Sequence, residues 1–249
     1  MKSYQDINKE TIDGWVEEGW EWSKPISHDE YISAKNGDWN VFLTPTVPFP
    51  HEWLGNLNGK KILGLASGGG QQMPIFNALG AECTVLDNSP KQIESEFLNA
   101  EREGYTIKAI EGDMTKALPF EDETFDIVFH PVSNCYVEDV EPIFNEAYRV
   151  LKKGGIFLAG LNNEINYIVD NEEKEIIWKM PFNPLKDKAA KDFMIKENAG
   201  MQFSHNMTEQ IGGQLKAGFT LLDIYEDTNG FGRLHELNIK TYIATESVK

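Results

Sequence analysis

The chain has 249 residues, with 23 Lys and Arg against 40 Asp and Glu, a formal net charge of −17, and two cysteines. That length supports one sizeable core, and the anionic field disfavours nucleic acid as a partner. Two cysteines, Cys83 and Cys135, argue against a disulfide framework or a cysteine-rich zinc site, and no apolar run is long enough for a membrane span. The opening "MKSYQDINKE" lacks a signal-peptide apolar core, so the expected setting is the reduced cytoplasm.

Residues 1–58 carry five of the six tryptophans (Trp15, Trp20, Trp22, Trp39 and Trp53) and close with the Pro-rich "TPTVPFPHEW". They read as a helical cap or lid segment preceding a core domain over 59–249, which contains an insertion at about 162–207. Trp15 and Trp22 lie seven apart, a spacing more typical of packing than of a substrate box. "YISAKNGDWNVF" (31–42) reads as a lid whose Tyr31 or Trp39 reaches the ligand.

From residue 60 the pattern alternates. "KKILGLA" (60–66) is a buried strand running into glycines, and "MPIFNALG" is a helix ending at Gly80. "ECTVLD" (82–87) is a second strand. Ser89 then caps a helix with Pro90 at its first position, and Ile93, Phe97 and Ala100 form its apolar face. "TIKAIEG" (106–112) and "FDIVFHP" (125–131) are further strands. Asp139 caps a helix carrying Ile143, Phe144, Ala147, Tyr148 and Leu151, which stops at Gly154-Gly155 before the strand "GIFLAGL" (155–161). Thr208 caps a helix ending at Gly218. "FTLLDIYED" and "KTYIATES" form an antiparallel pair joined by the loop "NGFGRLH" (229–235). This rhythm predicts an α/β fold: a Rossmann-like, seven-stranded, mostly parallel sheet with helices on both faces. Ligands in such sheets bind beyond the carboxyl ends of the strands.

The stretch "LGLASGGGQQ" (63–72) sits at one such end. Its missing side chains let a ligand approach the backbone, and the following helix offers free N–H groups. The dinucleotide pattern G-x-G-x-x-G fails at Met73, and no lysine follows to neutralise phosphates. A cofactor without phosphates fits better, with a nicotinamide-type oxidoreductase as the weaker alternative. Asp87 ends the second strand, where a carboxylate can hold both ribose hydroxyls. In "EGDM" (111–114), Asp113 can accept from an adenine amino group and Met114 can lie against the ring.

The glycine loop, Asp87, Gly112-Asp113-Met114, "LPFEDETFDIVF" and "EAYRVLKKGGIFLAG", in that order, resemble a class I S-adenosylmethionine-dependent methyltransferase. The likeness is to the bacterial small-molecule branch related to the ubiquinone/menaquinone-type enzymes. It implies methyl transfer to a small-molecule acceptor, with S-adenosylhomocysteine as product. A cofactor-binding protein of the same fold without transfer activity is the alternative. By resemblance, Ala66, Ser67, Gly68 and Gly70 face the methionine part of the cofactor. Asp87 holds the ribose, Asn88 lies beside the adenine with Asp113 and Met114, and His130 borders the sulfonium. The loop departs from the family's Asp-x-Gly-x-Gly-x-Gly at Gly64 and Ala66, so the cofactor's amino group needs another partner.

Water exclusion favours a charge-dispersing transfer and gives a physical reason for a lid. The insertion at 162–207 is expected to build the substrate pocket. Tyr136 and Asn134 are candidate substrate contacts, His130, His205 and His235 are candidate bases should the acceptor lose a proton, and Tyr136 stands with His130 as a catalytic candidate. The His and Cys spacings form no metal site.

Overall fold

The computed structural model describes residues 2–249. Its sheet contains β1 (Lys61–Leu65), β2 (Glu82–Asp87), β3 (Lys108–Glu111), β4 (Phe125–His130), β5 (Leu151–Asn162), β6 (Thr220–Asp227) and β7 (Tyr242–Val248). The strand order is β3-β2-β1-β4-β5-β7-β6. β1 to β5 pair in parallel, and β7 runs antiparallel to both β5 and β6. The sheet is therefore mostly parallel with one reversed C-terminal strand, as the sequence pattern implies. The chain moves outward from β1 to β3 and returns at β4, so the crevice above β1 and β4 is the switch point of strand order.

Successive strand residues serve opposite faces. Ile62, Val85 and Phe129 pack with Met73 and Phe76 of α3 (Gln72–Ala78) and with Phe49 and Trp53 of the N-terminal segment. Leu63, Leu65, Val128 and Phe157 pack instead on Ile143, Phe144 and Ala147 of α5 (Glu141–Val150).

Several boundaries differ from the sequence pattern. α5 gives way directly to β5, because Leu151 already pairs with Phe125; Gly154-Gly155 lie in a bulge within the strand. Asp139 accepts from the N–H of Glu141, but Val140 is the N-cap. Asn206, not Thr208, caps α7 (Met207–Ala217), in a reciprocal arrangement with Glu209. Within 229–235 the chain forms the start of a short helix, α8 (Gly232–Glu236). In α4 (Pro90–Glu103) Ser89 caps as expected, yet Phe97 is 48% exposed while Gln92, Ser95, Glu96 and Asn99 are buried with Ile93 and Ala100.

The N-terminal segment contributes α1 (Tyr4–Glu17) and α2 (His28–Lys35). α1 docks on the start of α4, where Asp13 Oδ1 accepts from Ser89 Oγ at 2.5 Å and from the N–H of Lys91 at 3.3 Å. A carboxylate is favoured at a helix N-terminus. Residues 162–207 include α6 (Lys188–Lys196) and form a third apolar cluster around Tyr167, Phe182, Met194 and Phe203. Asn8 joins α1 to this cluster: Nδ2 donates to the carbonyls of Tyr136 and Met201, each at 3.0 Å, and Oδ1 accepts from the N–H of Met201.

Candidate active site

A cavity of about 660 Å³ opens beyond the carboxyl ends of the central strands. Ala66, Ser67, Gly68, Asp87, Asn88, Asp113 and Met114 line one end. Trp15, Trp20 and Trp22 also line it, so these tryptophans both pack and face the ligand space. Trp15 meets Trp20 at 5.1 Å and Tyr136 at 6.4 Å between ring centroids.

Asp87 organises the cofactor end. Its Oδ2 accepts from the N–H of Gly68 and its Oδ1 from that of Ser89, both at 2.9 Å. Burial pushes its carboxyl up, and these backbone donors oppose that shift. The loop lies against α4 so closely that a Cβ at Gly68 would stand 2.7 Å from Gln92 Cβ and 3.0 Å from Asp87 Oδ2. Asn88 Nδ2 donates to the carbonyl of Gln5, tying the next residue to α1. Asp113 Oδ1 accepts from both the N–H and the hydroxyl of Thr115. Gly64 stands where an acidic side chain is usual; a Cβ there would lie 3.0 Å from Met73 Cε, so Met73 occupies the neighbouring space.

Ala66 has φ 51°. This left-handed conformation costs a residue with a Cβ roughly 1–2 kcal/mol, part of which glycine would return as extra unfolded-state entropy. Ala66→Gly is therefore expected to raise unfolding free energy by about 0.5–1 kcal/mol, read from the denaturant midpoint at unchanged slope. A lower midpoint would contradict the strain.

Seven candidate residues do not line the cavity, His205 and His235 among them. Gly70 is turned into α4, its N–H donating to Glu96 Oε1 at 2.7 Å. His130 is fully buried below the site; its ring bonds the carbonyl of Leu65 at 2.9 Å and Asn134 Oδ1 at 2.8 Å. Burial lowers its pKa, and the bonds to Asn134 and Leu65 oppose that shift; the ring is a structural link below the site. Asn134 is consumed by that bond and by another to Gln210. Tyr31 is buried between sheet-facing helices, stacking on Tyr105 and donating to Asn77. Trp39 stacks on His51 at 3.7 Å, away from the ligand space. Tyr31 and Trp39 instead complete the packing between α2, α3 and α4 or the Pro-rich loop, while Phe42 of the same stretch lines the cavity.

Tyr136 does line the cavity, with its phenol pushed well above the usual range by burial. His205 bonds the carbonyls of Asn134 and Val137, His235 bonds Thr228, and neither reaches the cavity wall. No histidine, lysine or arginine is found among the lining residues. The other end is aromatic: Tyr167, Trp178, Phe182, Phe193, Phe231 and Tyr242. Sequence reasoning pointed to the insertion for this end but missed Asn162, Trp178 and Tyr242. "WKMPF" (178–182) was the available signal: two aromatics in an otherwise polar segment.

A parallel sheet with a glycine loop after β1 and a carboxylate after β2 defines an enzyme class that binds a nucleoside-containing cofactor. The lack of a cationic wall speaks against a diphosphate within it. A family model described as a methyltransferase domain matches residues 63–159. An uncharacterized methyltransferase, YbaJ of Bacillus subtilis, is 41% identical over 251 residues, covering 97% of each chain. The chain belongs to the class I S-adenosylmethionine-dependent methyltransferases. Solved structures share the fold. An S-adenosylmethionine-dependent methyltransferase from Mesorhizobium loti matches with TM-score 0.61 at 18% identity, over 80% of this chain and 94% of that one. Geranyl diphosphate C-methyltransferase from Streptomyces coelicolor matches with TM-score 0.65 at 13% identity, over 100% and 98%. Among the described residues, no helix is long and apolar enough to cross a membrane.

Proposed function

We propose that the protein methylates a small, non-anionic, largely apolar acceptor that presents an O–H or N–H group to Asn162. The reading rests on one observation: the aromatic end of the cavity has no cation, and Asn162 Oδ1 there is buried without a partner. The orientation of that amide follows from its neighbours. Gln202 Nε2 donates to the carbonyl of Ala199, which leaves Gln202 Oε1 to accept from the Tyr167 hydroxyl at 3.1 Å. Tyr167 therefore accepts from Asn162 Nδ2 at 2.8 Å. Asn162 Oδ1 is left as the acceptor, and a buried unpaired acceptor costs roughly 1–3 kcal/mol until a donor meets it.

The glycine loop, Asp87 and Asp113 fit the cofactor: a cradle that a Cβ would fill, a carboxylate at the ribose position, and a second carboxylate beyond β3. When bound, the cofactor supplies a methyl group already activated by its sulfonium charge. The chain's residues then align, enclose and dry the reactants. Asn162 orients the acceptor through its O–H or N–H, and the aromatic wall excludes water. The wall holds carboxylates, Asp113, Asp170 and Glu173, and no histidine or lysine, so a proton lost by the acceptor would pass to a carboxylate. Anionic acceptors, diphosphates included, find no counter-charge.

Calorimetric titration of the S-adenosylhomocysteine complex with three matched probes tests this. 2-Naphthol should bind about tenfold tighter than 2-methoxynaphthalene, which cannot donate, and 2-naphthoate should not bind. Asn162→Leu should remove the naphthol preference. Tightest binding by naphthoate, or a preference that survives in Asn162→Leu, would refute the reading.

A further inference from the structure

The underside of the glycine loop rests on a buried polar face of α4. Gln92, Glu96 and Asn99 recur at one-turn spacing and are 7%, 0% and 0% exposed. Gly70 is clamped from this face: its N–H donates to Glu96 Oε1 at 2.7 Å, and its carbonyl accepts from Asn99 Nδ2 at 2.7 Å and from the N–H of Ile26 at 2.9 Å. Three oxygens of the cluster, Gln92 Oε1, Glu96 Oε2 and Asn99 Oδ1, are buried with no donor among the described residues. Three acceptors without a donor is an unstable arrangement in a dry interior. It is relieved if one of them carries a hydrogen, and only the carboxyl can take one.

We propose that Glu96 is a positioning residue that holds the cofactor loop as an uncharged carboxylic acid. It accepts from Gly70 through Oε1 and donates its own proton from Oε2 to a neighbouring amide oxygen, and its ionisation loosens the loop and weakens cofactor binding. The inference rests on the loop being the cofactor site.

The surroundings agree. Burial, followed by the nearby Asp87 carboxylate, pushes the Glu96 carboxyl up to about 8, against the opposing Gly70 donor. The titratable groups facing it are Asp87 and Cys83 from β2 and Tyr105 after α4. α3 carries no ionisable residue, and the acidic Asp13 of α1 sits beyond Asp87. Among the described residues, no cation acts on it to stabilise the ionised form. The acid form therefore dominates below pH 8, and deprotonation above it leaves an unpaired anion among acceptors.

Two readouts separate this role from plain packing. In the free protein, the amide resonance of Gly70 should titrate with a midpoint near pH 8 in the wild type and stay flat in Glu96→Gln, whose amide accepts and donates at every pH. For the cofactor, wild-type affinity for S-adenosylhomocysteine should fall about thirtyfold, relative to Glu96→Gln, between pH 7 and pH 9.5. The ratio matters because the ligand's own α-amino group titrates in this range. Glu96→Leu, which strands the Gly70 N–H, should bind more weakly than Glu96→Gln at all pH values. Matching pH profiles for the wild type and Glu96→Gln would overturn the proposal. If S-adenosylhomocysteine bound neither protein, the cofactor reading would fall, and the Gly70 resonance would still decide the role of Glu96.

Discussion

Asp87→Ala is expected to weaken S-adenosylhomocysteine binding by more than tenfold and to lower unfolding free energy by about 2 kcal/mol. Both effects come from one carboxylate. Its two oxygens hold the N–H groups of Gly68 and Ser89, one in the glycine loop and one at the start of α4. Truncation leaves two buried donors unpaired, at roughly 1–3 kcal/mol each, offset in part by relief of a buried charge and by water entering the cavity. A bond from the ribose to this carboxylate would be charge-assisted and worth roughly 1.5–3 kcal/mol, which is where the expected affinity loss arises. Calorimetry reads the first effect and denaturant unfolding the second. A folded Asp87→Ala protein that binds the cofactor normally would remove Asp87 from the ribose site.

Gly160→Ala should be the most damaging small substitution in the sheet, with a Tm drop of about 5 °C or more. Gly160 lies in β5 beneath the strap 42–45, and a Cβ there would run into the carbonyl of Leu43, with Leu43 C at 2.8 Å and Val132 N at 3.0 Å. These are backbone atoms and cannot rotate away. The strap must lift, and with it go Phe42, Thr44 and Pro45, all of which line the cavity. A companion loss of acceptor-probe binding is expected. A melting curve matching the wild type would show that the strap yields cheaply.

The elements that frame the glycine loop were legible in the sequence because local chemistry dictates them. β2 ends at Asp87 because an apolar run stops there, and α4 begins after Ser89 because a hydroxyl followed by proline caps a helix. The errors share a cause. His130 and Asn134 follow β4, where ligand contacts are expected, but the buried carbonyl of Leu65 and the side chain of Gln210 needed partners and took them. Glu96 escaped notice because periodicity reads buried faces from apolar residues. A helix face packed against glycine-loop backbone must instead satisfy N–H and C=O groups, so Phe97 turned outward and polar residues turned in. Asn162 stood in a reading of strand ends as loop residues, and its side-chain partner Tyr167, 5 positions on, is held in turn by the distant Gln202.

The placement of β7 also fixes an order of assembly. β7 lies between β5 and β6 although it follows both in the chain, and β6 pairs with no other strand. The strands that carry the glycine loop and Asp87 can zip together from near neighbours in sequence. The opposite end of the cavity waits for Tyr242, which pairs with Asn162, 80 positions earlier, and lines the same wall. Long-range pairing of this kind is slow relative to local pairing. During synthesis, then, the half of the molecule that grips the nucleoside can form well before the half that chooses what is to be methylated.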